Sequence, residues 1–417
     1  MQSKKFSTHF IVVLIELFIF TAFGLLSIKN GRFDPVALVF GAILGIYLLI
    51  QYVMLKAAFK FTDRFALLTA QFLFSVGMIL LYRMGRDGAI KQFAIYVLSS
   101  IVMTAVMLIS RGANHIIGKY HTYIMLLAFI LLAAPAVIGR TIGGAKNWIS
   151  IGGFSFQPSE FAKVLYIMVS AYYLNTRSDL KQFIPYAVFT GLCVLILVYE
   201  KDLGAALLIS GTFIIMFMAA TGRVFLTLFV TALFCAGAFL CIKLFPHVQT
   251  RIDVWKDPWS SYYGSGYQIV QGLMALASGG LFGTGVGMGM PSVIPASSTD
   301  YIFAVIGEEF GIIVAVCIIL FYTLFIIRGI LIAINAKNSY DALLVFGCCS
   351  MLTLQSFIII GGVIKLIPLT GITLPFISSG GTSLLNSMVM LGIIEGIAVK
   401  NGEDDELQLE LMEDVIL

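Results

Sequence analysis

Apolar residues in this chain arrive in long unbroken runs parted by short polar segments, not in two-residue alternation. The runs fall at about 9–28, 35–55, 65–82, 90–109, 122–139, 160–175, 183–198, 203–220, 224–243, 301–335, 340–363 and 383–399. A helix needs ~20 apolar residues to cross the hydrocarbon core of a bilayer, and most of these runs reach that length. Strands of an outer-membrane barrel would alternate apolar and polar positions, and these do not. The pattern predicts an all-α, polytopic helical membrane protein with about 12 spans and both termini on one side. The run at 301–335 exceeds one straight crossing, so it should tilt or continue into water.

Composition sharpens this picture. Of the 417 residues, 59% are apolar and 12% charged, against about 25% charged in ordinary globular chains. That balance excludes a cytoplasmic enzyme and a disordered chain, and a net charge of +4 is too small to argue for a nucleic-acid partner. The six cysteines lie inside apolar runs, where they act as small hydrophobes without a disulfide framework. Residues Met1 to Lys5 lead into the first run with no small-residue cleavage site, so that run reads as a retained span. Lys and Arg in the short segments favour an N-terminus inside. The polar, Gly- and Pro-rich segments 140–159, 199–202, 244–300 and 364–382 then all lie outside. Segment 244–299 is far longer than a connector needs to be, and it carries Trp255, Trp259, Tyr262, Tyr263 and Tyr267, residue types that settle at a membrane boundary. Such one-sidedness suggests a site facing outward. The tail 401–417, with seven acidic residues, reads as a solvated extension.

Ionisable groups at membrane depth cost ~2.5–3.5 kcal/mol each on insertion scales, so each is a functional candidate. They are Glu16, Glu160, Lys163, Glu200, Asp202, Asp300, Glu308, Glu309, Lys365 and Glu395. Asp300 opens the 301–335 run and supports two readings: a helix cap, or a general base at headgroup depth that stays ionised at neutral pH. Glu308 and Glu309 lie about 12–14 Å further along that helix and need partners, expected to be Lys163 or Lys365. Buried structural ion pairs are as natural a reading of them as catalysis. Pro158 suits a helix start, and Glu160 and Lys163 share one face of that helix. Lys146, Lys163, Arg251 and Lys365 are expected to converge as a cationic lining for a lipid diphosphate, although each alone would pass as an interfacial anchor. The segment Ser378-Ser379-Gly380-Gly381-Thr382-Ser383 lets backbone N–H groups approach phosphate oxygens, without Walker-A spacing. The four histidines are scattered, so no Ser-His-Asp arrangement or structural zinc site is visible.

Six motifs carry a family resemblance: GAKNWISIGGFSFQPSEFAK at 144–163, EKDLGAAL at 200–207, Arg251 with DPWSS at 257–261, GYQIVQGLMALASGGLFGTGVG at 266–287, STDYIFAVIGEEFG at 298–311, and KLIPLTGITLPFISSGGTSLL at 365–385. In order and spacing they resemble the SEDS family (shape, elongation, division and sporulation) of FtsW-, RodA- and SpoVE-like proteins. The resemblance covers about 63–400. It implies a ten-helix core at 63–400 with a large outer loop at 244–300, two extra N-terminal spans in 1–62, and an acidic cytoplasmic tail at 401–417.

The implied activity is a peptidoglycan glycosyltransferase that polymerises lipid II at the outer face of the cytoplasmic membrane during division or elongation. Its implied partners are a class B penicillin-binding protein and membrane lipids. The family's catalytic aspartate maps onto Asp300, and its substrate-binding polar positions map onto Lys146, Trp148, Gln157, Glu160, Lys163, Asp202, Gln268, Glu308, Glu309, Lys365 and Ser378, with Arg251 joining them from the cationic set. Members often read Pro where this chain has Lys201, and Tyr where it has Ser379. Asp300 is expected to deprotonate the acceptor sugar. Cationic side chains, alone or with a divalent cation (Mg2+ or Mn2+), would stabilise the departing undecaprenyl diphosphate. Two rivals are a lipid II flippase, which should show a midplane site reached from both faces, and a scaffold that recruits partners through its acidic tail.

Overall fold

The computed structural model of the protein describes residues 8–29, 32–142, 145–152, 154–176 and 183–416. Met1 to Lys5, Gly144, Arg177 and Lys181, which entered the sequence reading, lie outside the described residues. Each expected span coincides with a helix: α1 (Thr8–Ser27), α2 (Pro35–Ala58), α3 (Arg64–Met84), α4 (Arg86–Ser110), α5 (Ala113–Ile138), α6 (Pro158–Thr176), α7 (Ile184–Tyr199), α8 (Leu203–Thr221), α9 (Val224–Leu244), α12 (Ile302–Ile334), α13 (Ser339–Val363) and α14 (Gly381–Ile416). Among the described residues ten helices are long and apolar enough to cross a membrane. The two shortfalls have local causes: α7 has only 16 residues, and α6 starts with Ser159, Glu160 and Lys163. The long segment after α9 holds α10 (Pro246–Lys256) and α11 (Tyr267–Gly279). A hairpin of β1 (Ile28–Lys29) and β2 (Arg32–Phe33) joins the first two helices. Strands β3 (Arg140–Ile142), β4 (Ala145–Ile151) and β5 (Phe154–Phe156) form an antiparallel meander between α5 and α6.

Burial sorts the helices. Nearly every side chain of α3 from Ala66 to Tyr82 is buried, whereas α9, with Thr227 its one buried residue among those described, turns its side chains outward. Helices α1 and α2 cover one side of α3 through Phe23, Phe40 and Tyr82, whose rings stack edge-on and tilted. Gln71 donates to the Leu48 carbonyl (3.1 Å) and to Gln51 (2.9 Å) across that interface.

The long helix α12 is interrupted partway along its length. Gly311 sits at φ 84, ψ 172, a conformation essentially reserved for glycine. A β-carbon there would lie 2.4 Å from both the Gly283 nitrogen and the Leu281 oxygen. The glycine-rich loop after α11 satisfies the backbone groups freed by the break. Ile312 and Ile313 donate to the Gly280 and Leu281 carbonyls at 3.0 and 3.3 Å, and Thr284 and Gly285 donate to the Glu308 and Glu309 carbonyls at 2.8 and 3.1 Å.

At the end of the bundle that holds both termini, Asp63 caps α3 and pairs with Arg328. The buried Glu395 accepts the Asp63 amide at 2.8 Å. The acidic tail is not a free extension: α14 continues as one helix to Ile416, and Glu403, Asp405 and Glu406 pair with Arg111, Lys337 and Lys60. At the opposite end, the β3–β5 meander, the α7–α8 turn, α10–α11 and segment 364–380 meet.

Candidate active site

These segments enclose a cavity of about 620 Å³. One wall is fixed by Asp202. Its Oδ1 accepts the Ala205 amide (3.0 Å) as the N-cap of α8, while its Oδ2 accepts from Asn147 Nδ2 of β4 (2.8 Å) and from Gln157 Nε2 (3.0 Å) just before α6. A second wall comes from α6, where Lys163 Nζ lies 2.8 Å from Glu160 Oε2. The pair is held by Asn386, which donates to Glu160 at 3.2 Å, and by Gln355, whose Oε1 accepts from Lys163 at 3.4 Å. Gln355 then donates to the Thr373 carbonyl (2.9 Å), and the Thr373 and Ser383 hydroxyls pair at 2.6 Å. Arg251 of α10 crosses the cavity and donates to the Thr370 carbonyl at 3.2 Å.

Asp300 lies on the turn before α12. That helix begins at Ile302 and its cap position, Tyr301, makes no side-chain capping bond, so Asp300 is free of the capping duty that one sequence reading gave it. The carboxylate faces the cavity beside Gly371, whose φ is 76 and where a β-carbon would lie 3.6 Å from Asp300 Oδ2. Burial pushes the Asp300 pKa up to about 6, opposed by the Thr299 hydrogen bond and the positive charge of Arg251. Arg251 itself is lowered by burial and raised by Asp202 and Asp300, between which it acts. The Asp300 loop is pinned from the 364–380 segment: Ser378 Oγ donates to the Thr299 carbonyl (2.7 Å) and the Ser379 amide to the Ser298 carbonyl (2.8 Å). At the α7–α8 turn, Glu200 is pushed up to about 8 by burial and by neighbouring Asp202.

Of the expected site residues, the cavity brings together Asp300, Trp148, Gln157, Glu160, Lys163, Asp202, Arg251 and Gln268. Five others do not line it. Lys146 turns its ammonium to the Ala136 carbonyl at 2.7 Å. Lys365 is spent on the Lys256 carbonyl at 3.2 Å, so the four-cation lining is reduced to Lys163 and Arg251. Ser378 is buried beneath the Asp300 loop, where its hydroxyl also accepts the Leu374 amide at 2.9 Å. Glu308 and Glu309 point into the glycine-rich loop, accepting the amides of Met290 (3.0 Å) and Gly287 (2.9 Å). The partner of Glu309 is Arg83, at 2.8 Å, rather than Lys163 or Lys365. Their role in this fold is to hold a loop. Residues to which the sequence reading gave no role in the site also line the cavity, namely Asn147, Lys201, Thr250 and Thr373, together with Ser383 of the hydroxyl-rich segment. Lys201 and Asn147 had a signal, each adjoining a singled-out residue in its motif.

Among the described residues no group of three or more His, Cys, Asp or Glu side chains is placed to hold a metal ion. Both oxygens of Asp202 already accept hydrogen bonds, and the cations on the cavity lining are Lys163, Lys201 and Arg251.

Residues 56–403 match the family of FtsW, RodA and SpoVE, described as cell cycle proteins. The chain is 34% identical over 366 residues to the peptidoglycan glycosyltransferase RodA of Mycobacterium bovis, covering 81% of this chain and 78% of that one. It is 34% identical over 357 residues to a probable peptidoglycan glycosyltransferase FtsW of a Geobacter species, covering 81% and 97%. Stage V sporulation protein E of Bacillus subtilis is 35% identical over 284 residues, covering 66% of this chain and 78% of its own. The fold is similar to a chain solved in a study of the structural coordination of polymerization and crosslinking by a peptidoglycan synthase complex, with TM-score 0.68 and 22% identity over 82% of this chain and 98% of that one. It is also similar to RodA of Thermus thermophilus, with TM-score 0.60 and 23% identity over 81% and 96%. With the family's match running through the helices that build the cavity, the chain belongs to the FtsW, RodA and SpoVE family of cell cycle proteins, the SEDS family.

Proposed function

We propose that this chain is a peptidoglycan glycosyltransferase that polymerises lipid II at the outer face of the cytoplasmic membrane. The single observation that carries the mechanism is Asp300: a cavity-facing carboxylate, free of capping duty, with its pKa held near 6. In this reading the acceptor's 4-hydroxyl gives its proton to Asp300 as the oxygen attacks the donor's anomeric carbon. The new glycosidic C–O bond forms while the bond to the diphosphate oxygen breaks. Negative charge growing on the leaving diphosphate is met by Arg251 and Lys201. Asp202 acts indirectly by fixing β4, Gln157 and the start of α8 in one frame. The names of the relatives support the substrate class, and the synthase-complex neighbour supports a class B penicillin-binding protein as partner. No step is routed through a metal ion.

Helix α1 and most of α2 precede the family match, which begins at residue 56, and we read them as an addition to the core. The transporter alternative loses its buried acids: Glu308, Glu309 and Glu395 are each engaged in holding backbone. The decisive test is polymerisation of lipid II by the purified full-length protein with its partner. Asp300→Asn should lower the rate ~10²–10⁴-fold, the usual contribution of a general base. A rate within a few-fold of wild type would remove Asp300 from this role.

A further inference from the structure

We propose that residues 407–413 of α14 form a docking face for a basic amphipathic helix of a partner protein, on the side of the membrane opposite the cavity. The inference is independent of the chemistry assigned to Asp300.

Position supplies the first observation. Helix α14 starts at Gly381, and ~20 of its residues suffice to cross the hydrocarbon core. Near that point Lys400 pairs with Asp341 (2.8 Å) and Asn401 donates to the Ile332 carbonyl (3.0 Å). Glu403, Asp405 and Glu406 then meet Arg111, Lys337 and Lys60, which belong to segments between helices. Residues 407–413 lie past this ring, about 10–20 Å along the helix axis from Lys400. They stand in water.

Side-chain chemistry supplies the second. Leu407, Leu409, Leu411 and Met412 are each 55–60% exposed. A single exposed leucine is ordinary, but four large apolar side chains within two helical turns in water form a patch that marks an interaction surface. At ~100° per residue they span an arc of about 200°. Gln408 lies within that arc and accepts from Lys337 at 3.2 Å, on the edge nearest the bundle. Glu406, Glu410 and Glu413, spaced by four and three residues, fill the opposite stripe.

Charge selects the occupant. After Lys400 the chain has seven acidic residues and no Lys or Arg. Glu410 and Glu413 are exposed and form no ion pair among the described residues. Anionic headgroups repel such a helix, and helices that lie on membranes carry Lys and Arg on their polar face instead. A second copy in the same bilayer would bring its tail in parallel and set one acidic stripe against another. A helix whose apolar stripe is bordered by Lys or Arg meets neither obstacle. It covers the leucines and carries cations to Glu410 and Glu413.

The test uses the full-length protein in nanodiscs of zwitterionic lipid. The probe is a synthetic helical peptide of Leu and Lys at amphipathic spacing, and its control carries Glu in place of Lys. Fluorescence anisotropy should show the basic peptide binding and the acidic one not. Leu407→Ser combined with Leu411→Ser should weaken binding about 10-fold. Glu410→Gln combined with Glu413→Gln should weaken it about 3-fold and flatten its dependence on salt. All four side chains are exposed, so both variants should elute and melt like wild type. Failure of the basic peptide to bind would overturn the proposal. So would full binding to the Ser variant, because charge attraction alone would then account for it. A photoreactive benzoylphenylalanine at position 411 tests the occupant without disturbing the charges, and it carries the test if the Ser variant does not fold. In nanodiscs it should crosslink to the basic peptide. In phosphatidylglycerol proteoliposomes without peptide, a crosslink to a second copy or to lipid would assign the face to that occupant and reject the partner helix.

Discussion

As the proposed base, Asp300 has a protonation state that a pH profile can read. Its pKa near 6 reflects burial, only partly offset by Thr299 and Arg251. As a base it must be ionised, so the logarithm of the polymerisation rate should fall with unit slope below about pH 6 and level off above it; a profile flat through pH 5 would contradict the assignment. The stability sign runs the other way from that of a salt-bridged acid. The folded pKa lies above the ordinary value of 3.8, so ionisation is disfavoured in the folded state and stability rises as pH falls from above 6 towards 4. At neutral pH, Asp300→Asn should therefore melt at or above the wild-type temperature while losing activity. Gly371 is the residue beside it most sensitive to change. A side chain at φ 76 costs ~1–2 kcal/mol and would stand 3.6 Å from the Asp300 carboxylate. Gly371→Ala should lower both the melting temperature and kcat. Asp300 was visible in the sequence because an acid at the head of a long apolar run is expensive. Whether it capped the helix was not, since both readings put an acid just before a helix. Lys146 and Lys365 misled for a related reason: sequence gives the depth and side of a membrane residue, but not which way its side chain turns.

Among the elements, α12 shows how far length arithmetic reaches. Its excess over one crossing was plain, and the break that relieves it was not, because the chain has 40 glycines and only packing picks out Gly311. The glycine-rich loop 279–287 ends one of the six motifs that carry the family resemblance. Its actual work is to supply the hydrogen bonds that the break removes, fastened by Glu309 and Arg83. That pairing joins α12 to α3, a contact between helices far apart in sequence, which charge spacing along one helix cannot reveal. Gly311→Ala meets backbone on two sides as well as a forbidden conformation. It should sharply reduce the yield of monodisperse protein in fluorescence-detected gel filtration, and a normal profile would show that the break is optional.

At the scale of the molecule, the twelve apolar runs and their alternation laid out the bundle, and the polar segments gathered at one end as their placement on one side required. The acidic tail departs from expectation because helix α14 simply carries on, bringing three acids to three different inter-helix segments. Exposed ion pairs contribute ~0–1 kcal/mol each and weaken with salt. Deleting 403–417 should therefore leave lipid II polymerisation by the purified protein within about 2-fold of wild type and lower the melting temperature by only a few degrees, less so at high salt. A collapse of activity would mean the tail does more than brace. The interruption at Gly311 has a mechanical meaning as well. The turn bearing the reactive acid and the rod anchored in lipid are two levers joined at a pivot. Because the glycine-rich loop is bonded to both sides of the break, a change in the angle of the rod is expected to reach the turn through that loop.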